Sequence, residues 1–357
     1  MRRFDSEYAA RLAAYRTVAG RLSLLSDRRL GDAVSSASAV GSGIGGRSAE
    51  LDIDGRRVFV KRVPLTDLEA RPENVRSTAN LFDLPMFYQY GVGSAGFGAW
   101  RELAAHTMTS NWVLEKQHEG FPLMYHWRVL PDSPPEGFVE EFGGIDGAVA
   151  HWEGSPAVRE RLEAIGRSCR SLVLFLEHVP QTLGAWLSEH RENATPAGAG
   201  SLCLWVEETS ARAAAFMSSR GLVHFDAHFN NLLTDGRLIY FADFGLALSS
   251  RFELSAAEEQ FLWDHLAYDR HYTAGHLLHH LLDRLRGETD KDVFLQEWSA
   301  GRRPSGVWPQ IAAIIERHAR STLVLDGFHR RLLTQSKQTP FPTTELNRAA
   351  AARAAHG

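Results

Sequence analysis

The sequence predicts an α+β protein of two lobes, strand-rich first and mainly helical afterwards. Strand-like apolar runs concentrate before residue 180, and helical periodicity dominates beyond residue 251. At 357 residues the chain is also long enough for two lobes and a substantial core.

Each element follows in order. The opening stretch MRRFDSEYAARLAAYRTVAG carries arginines, Asp5 and Glu7 and has no uninterrupted apolar core, so it reads as an amphipathic helix and not a signal peptide. Residues 37 to 63 read as a Gly-rich turn between two strands, then a tight hairpin through Asp54-Gly55. Residues 64 to 98 are irregular, AWRELAAHTMTS is helical and FPLMYHWRVL is strand-like. Residues 131 to 147, rich in Pro and Gly, form a loop. A Ser-Pro start opens a helix through SPAVRERLEAIGRS, SLVLFLEHV is a short strand, and TLGAWLSEH is helical. NATPAGAGS reads as a flexible connection, followed by a helix through LWVEETSARAAAFMSSRG that Gly221 stops. The Ala-rich end from Ala349 is expected to fray.

Composition excludes little. An apolar fraction of 44% and a charged fraction of 23% are ordinary for a globular protein, and a formal net charge of −4 gives no general attraction to nucleic acid or anionic membranes. No stretch has the charge-free apolar length of a membrane span. Cys169 and Cys203 form no CxxC pair, so two buried thiols in a reducing cytoplasm are expected. Neither nucleic acid nor a membrane is expected as a partner.

The chemistry concentrates in GLVHFDAHFNNLLTDGRLIYFADFGLALSS, residues 221 to 250. His224, Asp226 and Asn231 precede a short hairpin, and Asp243-Phe244-Gly245 follows it. Phosphoryl transfer needs a carboxylate to orient the attacking hydroxyl, hard oxygen donors for magnesium, and a cation against developing charge. Asp226 suits the first task; Asn231 and Asp243 suit the second.

This stretch resembles the protein kinase-like superfamily, with His224-x-Asp226-x4-Asn231 as catalytic loop and DFGLA as metal-binding segment. The resemblance implies a bilobal kinase-like fold: an N-terminal helical extension over 1–29, a small antiparallel-sheet N-lobe over 30–176 with insertions near 64–98 and 131–168, a mainly helical C-lobe over 177–335, and a tail over 336–357. It implies ATP and Mg2+ as cofactors. GSGIGG fits GxGxxG through Gly41, Gly43 and Gly46, where missing side chains let backbone amides approach phosphates. Lys61 in VFVKRV matches the strand lysine that meets the α- and β-phosphates. Glu102 is the expected partner of Lys61, with Glu69 and Glu73 as alternatives. LFLEHV resembles the interlobe hinge, which sets Leu176 beside the adenine and offers backbone groups of Glu177 and Val179 to its edge.

A second GxGxxG, through Gly91, Gly93 and Gly96, precedes a helix and reads either as an anion site at its N-terminus or as a hinge. The insertions read either as carriers of regulation or substrate contacts, or as passive packing.

Several departures bear on the acceptor. Phe225 stands where many regulated protein kinases have arginine, so switching by loop phosphorylation is not expected. No Ala-Pro-Glu segment follows DFGLALSS. His228 stands where Ser/Thr kinases usually have lysine, and Asp-x-His-x-x-Asn resembles the aminoglycoside and choline phosphotransferase branch instead. His228 either contacts the γ-phosphate or orients the loop. Asp264 is expected to anchor the catalytic loop from a helix below it. His276, His279 and His280 have helical spacing that suits zinc, but without the glutamate of HExxH they read as ordinary histidines. The expectation is an ATP-dependent kinase acting on a protein or peptide hydroxyl of Ser/Thr type, because ADFGLA and MSSRGLVH are close to protein-kinase sequence. The alternatives are a small-molecule (metabolite or antibiotic) kinase and a nucleotide-binding pseudokinase scaffold.

Overall fold

The computed structural model describes residues 2–193 and 196–354. It is a mixed α/β protein with a five-stranded antiparallel sheet and many helices. The chain forms two compact units: the first is Met1–Val179 with Asp243–Ala247 and Phe252–Leu254, and the second is Pro180–Ala242, Leu248–Arg251 and Ser255–Gly357.

The first unit opens with helices α1 (Arg2–Ser23) and α2 (Asp27–Ser35), the latter capped by Ser26. Strands β1 (Ser38–Gly43), β2 (Gly46–Ile53) and β3 (Arg56–Pro64) follow, then α3 (Ala99–Leu114), β4 (Met124–Pro131), α4 (Ile145–His151), α5 (Pro156–Gly166) and β5 (Arg170–Glu177). The sheet order is β1-β2-β3-β5-β4. The β2–β3 hairpin forms as expected, with Asp54 and Gly55 both at positive φ (52° and 80°), the conformation of a two-residue type I′ turn. Residues 64–98 carry only two short 3-10 turns, in line with their irregular composition. The 131–147 loop is less open than expected, because a 3-10 turn at Glu140–Phe142 leads into α4 from Ile145.

Alternation along β3 and β5 sorts the sheet into two faces. Val63, Leu172, Leu174 and Leu176 pack with Trp100 and Leu103 of α3. Burying each such side chain contributes roughly 1.5–3 kcal/mol, which holds α3 against the strand that carries Lys61. Tyr15 of α1 meets Tyr125 of β4, with ring centroids 6.1 Å apart. The insertion residues build a core of their own, in which Phe82, Tyr88 and Phe97 pack with Phe138, Trp152 and Leu162.

In the second unit, β6 (Gln181–Thr182) leads to α6 (Leu183–Asn193) and α7 (Pro196–Ser219). There follow β7 (Leu222–Val223), β8 (Leu232–Thr234), β9 (Ile239–Phe241) and β10 (Leu248–Ser249). α8 (Ala256–Asp264), α9 (Tyr268–Leu285), α10 (Lys291–Ser299), α11 (Pro309–Thr334) and α12 (Thr343–Ala354) complete the unit. β6, β8 and β9 form one small sheet, and β7 pairs with β10. α7 ends near Gly221 as expected, at φ 65°; a Cβ there would lie 2.2 Å from Ser250 Oγ, so glycine is required twice over.

Three expectations need correction. Cys203 is buried, but Cys169, in the connection between α5 and β5, is exposed. Much of the proposed flexible connection at 193–201 is the start of α7, because its small residues permit close packing: a Cβ on Gly200 would already lie 3.2 Å from Gln310 of α11. Residues 194 and 195 of that connection lie outside the described residues. The Ala-rich end continues α12 to Ala354, and residues 355–357 lie outside the described residues. No helix among the described residues is long and apolar enough to cross a membrane.

Candidate active site

In the first unit the chain turns sharply between β1 and β2, with Gly43 opposite Gly46 and only Ile44 and Gly45 at the tip. Gly46 has φ 119°, and a Cβ there would lie 2.4 Å from the Arg62 carbonyl oxygen, so glycine is imposed by both conformation and space. Gly41 and Gly43 have room around them, but Gly45, which the motif does not count, lies closest to the chemistry. Its Cβ would stand 3.8 Å from Lys61 Nζ.

Lys61 is on β3, opposite Ser48 of β2 and Leu174 of β5, and only 6% exposed. Its ammonium donates to Glu102 Oε1 and to Asp243 Oδ1, each at 2.7 Å. Glu102 is in the first turn of α3 and 2% exposed. Burial works against the charge on Lys61, but the Asp243 and Glu102 carboxylates outweigh it and hold the ammonium well above its ordinary range. Burial pushes the Glu102 carboxyl up, to about 7; Lys61 opposes that shift and the charge of Asp243 adds to it.

The alternatives to Glu102 lie elsewhere. Glu73 is exposed. Glu69 is buried and accepts the Ala99 amide at 2.7 Å, the Thr66 amide at 3.0 Å and the Arg161 guanidinium at 2.8 Å. Its carboxylate thus caps the start of α3, and this overturns the reading of Gly91, Gly93 and Gly96 as an anion site: the protein's own anion already meets that helix N-terminus.

Leu176 is buried in β5, two residues beyond the partner of Lys61 and so on the same face of the sheet. The Glu177 amide donates to the Leu123 carbonyl at 2.8 Å, and the Glu177 carboxylate is gripped by Arg11 of α1. Val179, partly buried, is the last residue of this segment in the first unit.

In the second unit, residues 224–231 form a tightly bonded loop after β7. The His228 amide donates to the Asp226 carbonyl, the Asn231 amide to the His228 carbonyl, and the Ala242 amide to the Asn231 carbonyl. Asn231 Nδ2 donates to Asp226 Oδ2 at 2.9 Å and to the Asp226 carbonyl at 3.0 Å. Both bonds use the nitrogen, so Oδ1 is the atom left to meet a cation. His228 Nδ1 accepts the Asn230 amide at 3.2 Å, which puts the proton on Nε2, 3.7 Å from Asp226 Oδ2.

Phe225 sits under this loop, fully buried at φ 64°, a costly conformation for a bulky side chain. Its ring packs on Phe261, His265 and Tyr268. Asp269, not Asp264, holds the loop from below. Its carboxylate accepts the His224 amide at 2.7 Å and the Phe225 amide at 3.0 Å. Asp264 is exposed and accepts from Gln260, because the helical path breaks at His265 and turns it outward. Burial pushes the Asp269 carboxyl up, to about 7, against the two amides.

No group of three or more His, Cys, Asp or Glu suited to a metal occurs among the described residues. His279 bonds to Asp326 at 3.0 Å, and the His276 ring stands edge-on to Tyr272. Asp243 follows Ala242 in the chain, has φ 63° and keeps its side chain 43% exposed. The structure thus brings Lys61, Glu102 and Asp243 together in the first unit, and Asp226, His228 and Asn231 together in the loop of the second. Sequence reasoning missed Asp269 and Gly45, and it named Glu69 only as an alternative partner of Lys61, not as the cap of α3. No protein-family model matches the chain, and a search of curated proteins gives no match.

Proposed function

We propose that the protein is an ATP-dependent phosphotransferase that moves the γ-phosphate of ATP to a hydroxyl, with a Ser/Thr-type hydroxyl of a protein or peptide as the first acceptor. The observation that carries this reading is Lys61, held as a buried cation by Glu102 and Asp243 under a glycine turn. A cation fixed in that way suits the α- and β-phosphates, and the open backbone at Gly41, Gly43 and Gly45 suits amide approach to their oxygens. Leu176 would line the adenine, with backbone groups of Glu177 and Val179 at its edge. Since the Glu177 amide is engaged, its carbonyl is the group that would serve.

Asp226 would orient the acceptor hydroxyl and take up its proton, with Asn231 Nδ2 fixing the carboxylate at 2.9 Å and His228 Nε2 facing it from 3.7 Å. By the resemblance, Asn231 Oδ1 and Asp243 would each supply a hard oxygen of the kind magnesium takes alongside substrate phosphates. When bound, the cation would neutralise charge on the transferred group.

A small-molecule acceptor is the second reading. It is favoured by the short connection of residues 250–255 from β10 to α8, which leaves little chain on which a peptide could dock. The test is γ-labelled ATP with magnesium, with Asp226→Asn as control, against the protein itself, a cell proteome and a metabolite extract. Label on protein supports the first reading and label only on a small molecule the second. Tight magnesium-dependent ATP binding with no transfer would leave a pseudokinase, and full activity of Asp226→Asn would overturn the assignment.

A further inference from the structure

The insertion segment 77–98 acts directly on Asp243–Ala247, within the first unit. The Gln89 side chain, 1% exposed, donates from Nε2 to the Leu246 carbonyl. Gly96 has φ 71°, and a Cβ there would lie 2.5 Å from the Gly245 carbonyl oxygen, so backbone rests on backbone at that point. Gly245 in turn lies over the ion triad: its Cβ would be 3.3 Å from Asp243 Oδ1 and 3.5 Å from Glu102 Oε2.

The same segment holds residues 252–254. The Thr78 hydroxyl accepts the Glu253 amide at 2.8 Å, and the Thr78 carbonyl accepts Arg101 Nε of α3 at 2.7 Å. Phe244 is buried against His106 of α3 and Phe121, with ring centroids 5.1 and 6.2 Å away. The second insertion supports the first: His151 bonds to the Val92 carbonyl at 2.8 Å, and Trp152 Nε1 donates to the Gly93 carbonyl at 3.3 Å.

We propose that the two insertions are a built-in clamp on the Asp243 segment, with Gln89 and Gly96 as positioning residues that keep Asp243 on Lys61 without any phosphate on the chain. A phosphorylation switch works by supplying an ordering contact that the unmodified segment lacks. Here Gln89, Gly96 and Thr78 already supply that order, and the Phe225 position offers no cation for a phosphate. The structural half stands alone; its consequence for Asp243 as a metal ligand rests on the phosphotransferase reading.

Hydrogen exchange on the full chain, free of nucleotide and metal, tests the clamp. In the wild-type protein the Ala247 amide, bonded to the Phe244 carbonyl, should exchange as slowly as amides of β3 and β5. Gln89→Leu and Gly96→Ala should speed exchange over 244–247 by about tenfold or more while β3 and β5 stay protected. In both variants the magnesium concentration that half-saturates ATP binding should rise several-fold, with metal-free nucleotide binding unchanged.

Fast exchange at Ala247 in the wild type would overturn the clamp even if neither variant folds. Unchanged or uniformly faster exchange in the variants would overturn it as well. Phosphatase treatment should leave wild-type transfer intact, and loss of transfer would refute independence from phosphate. If no transfer is found to any acceptor, the phosphotransferase reading fails while the exchange result still decides the clamp.

Discussion

Lys61 Nζ and Glu102 Oε1 stand 2.7 Å apart, in a pair whose side chains are 8% and 2% exposed. Two such charges stabilise the fold only while both are present. Lys61→Met should cost about 3–5 kcal/mol, because it strands Glu102 in a low-dielectric site. Lys61→Met with Glu102→Leu should recover much of that stability and none of the transfer activity. Chemical denaturation and the transfer assay, run on both variants, separate the two effects; a double variant no more stable than the single one would contradict this account.

His228 has two separable functions in its ring. Nδ1 accepts the Asn230 amide and Nε2 faces Asp226, so His228→Asn should keep an acceptor for the loop and lose the donor. We expect kcat to fall by about ten- to a hundredfold with KM for ATP nearly constant, as for loss of a group that acts on the reacting centre. Unchanged kcat would assign His228 to loop orientation alone.

Much of this was legible from residue types at fixed spacing. Lys61 lies within β3, where strand alternation sets its face, and Asp226, Asn231 and Asp243 lie in tight turns beside short strands, where local sequence dictates geometry. Asp269 was not legible. Asp264 and Asp269 fall in one continuous helical pattern, and only the break at His265, set by packing of its ring on Phe261 and Phe341, decides which of them faces the loop. Gly45 was hidden for a different reason: the motif counts its neighbours, but the turn tip is set by the register of Gly43 with Gly46. The role of Gly96 depends on a contact with Gly245, far along the chain, which no local pattern encodes.

The fully buried Asp269 also predicts a pH dependence. Its folded pKa, about 7, lies above the ordinary carboxylate value, so the folded state binds more protons than the unfolded state between about pH 4 and 7. Its contribution is therefore fully present below about pH 4 and is lost as pH rises through 7. Asp269→Asn should remove this slope and destabilise the protein by roughly 1–3 kcal/mol, because an amide oxygen and an NH2 cannot accept both loop amides equally. Urea midpoints across pH 4 to 8 would show it, and a slope that persists in the variant would assign it to another group.

Glu207 of α7 predicts the opposite slope. Burial works against its charge, but His318 and Arg317 of α11 outweigh it and hold the carboxyl at about 2. A depressed folded pKa gives stability that is present above the unfolded value and lost as pH falls from about 4.5 toward 2. Glu207→Gln should cost roughly 3 kcal/mol at neutral pH and flatten the acid limb. An acid transition unchanged in the variant would show that α7 and α11 do not depend on this bridge.

The glycine turn over Lys61 separates folding from ligand binding at adjacent residues. At Gly46 an added methyl would meet the Arg62 carbonyl oxygen at 2.4 Å in a left-handed conformation, so Gly46→Ala should lose roughly 1–3 kcal/mol of stability. At Gly45 the nearest atom is Lys61 Nζ at 3.8 Å, an ordinary contact, and no positive φ is required. Gly45→Val should therefore fold with little change, yet place two methyl groups where phosphate oxygens would approach the ammonium. Its Kd for ATP should rise by about tenfold or more, equivalent to roughly 1.4 kcal/mol, while that of Gly46→Ala, measured well below its melting temperature, rises less. Calorimetric titration with ATP beside thermal melts distinguishes them, and equal affinity in Gly45→Val and wild type would move the phosphates away from this turn.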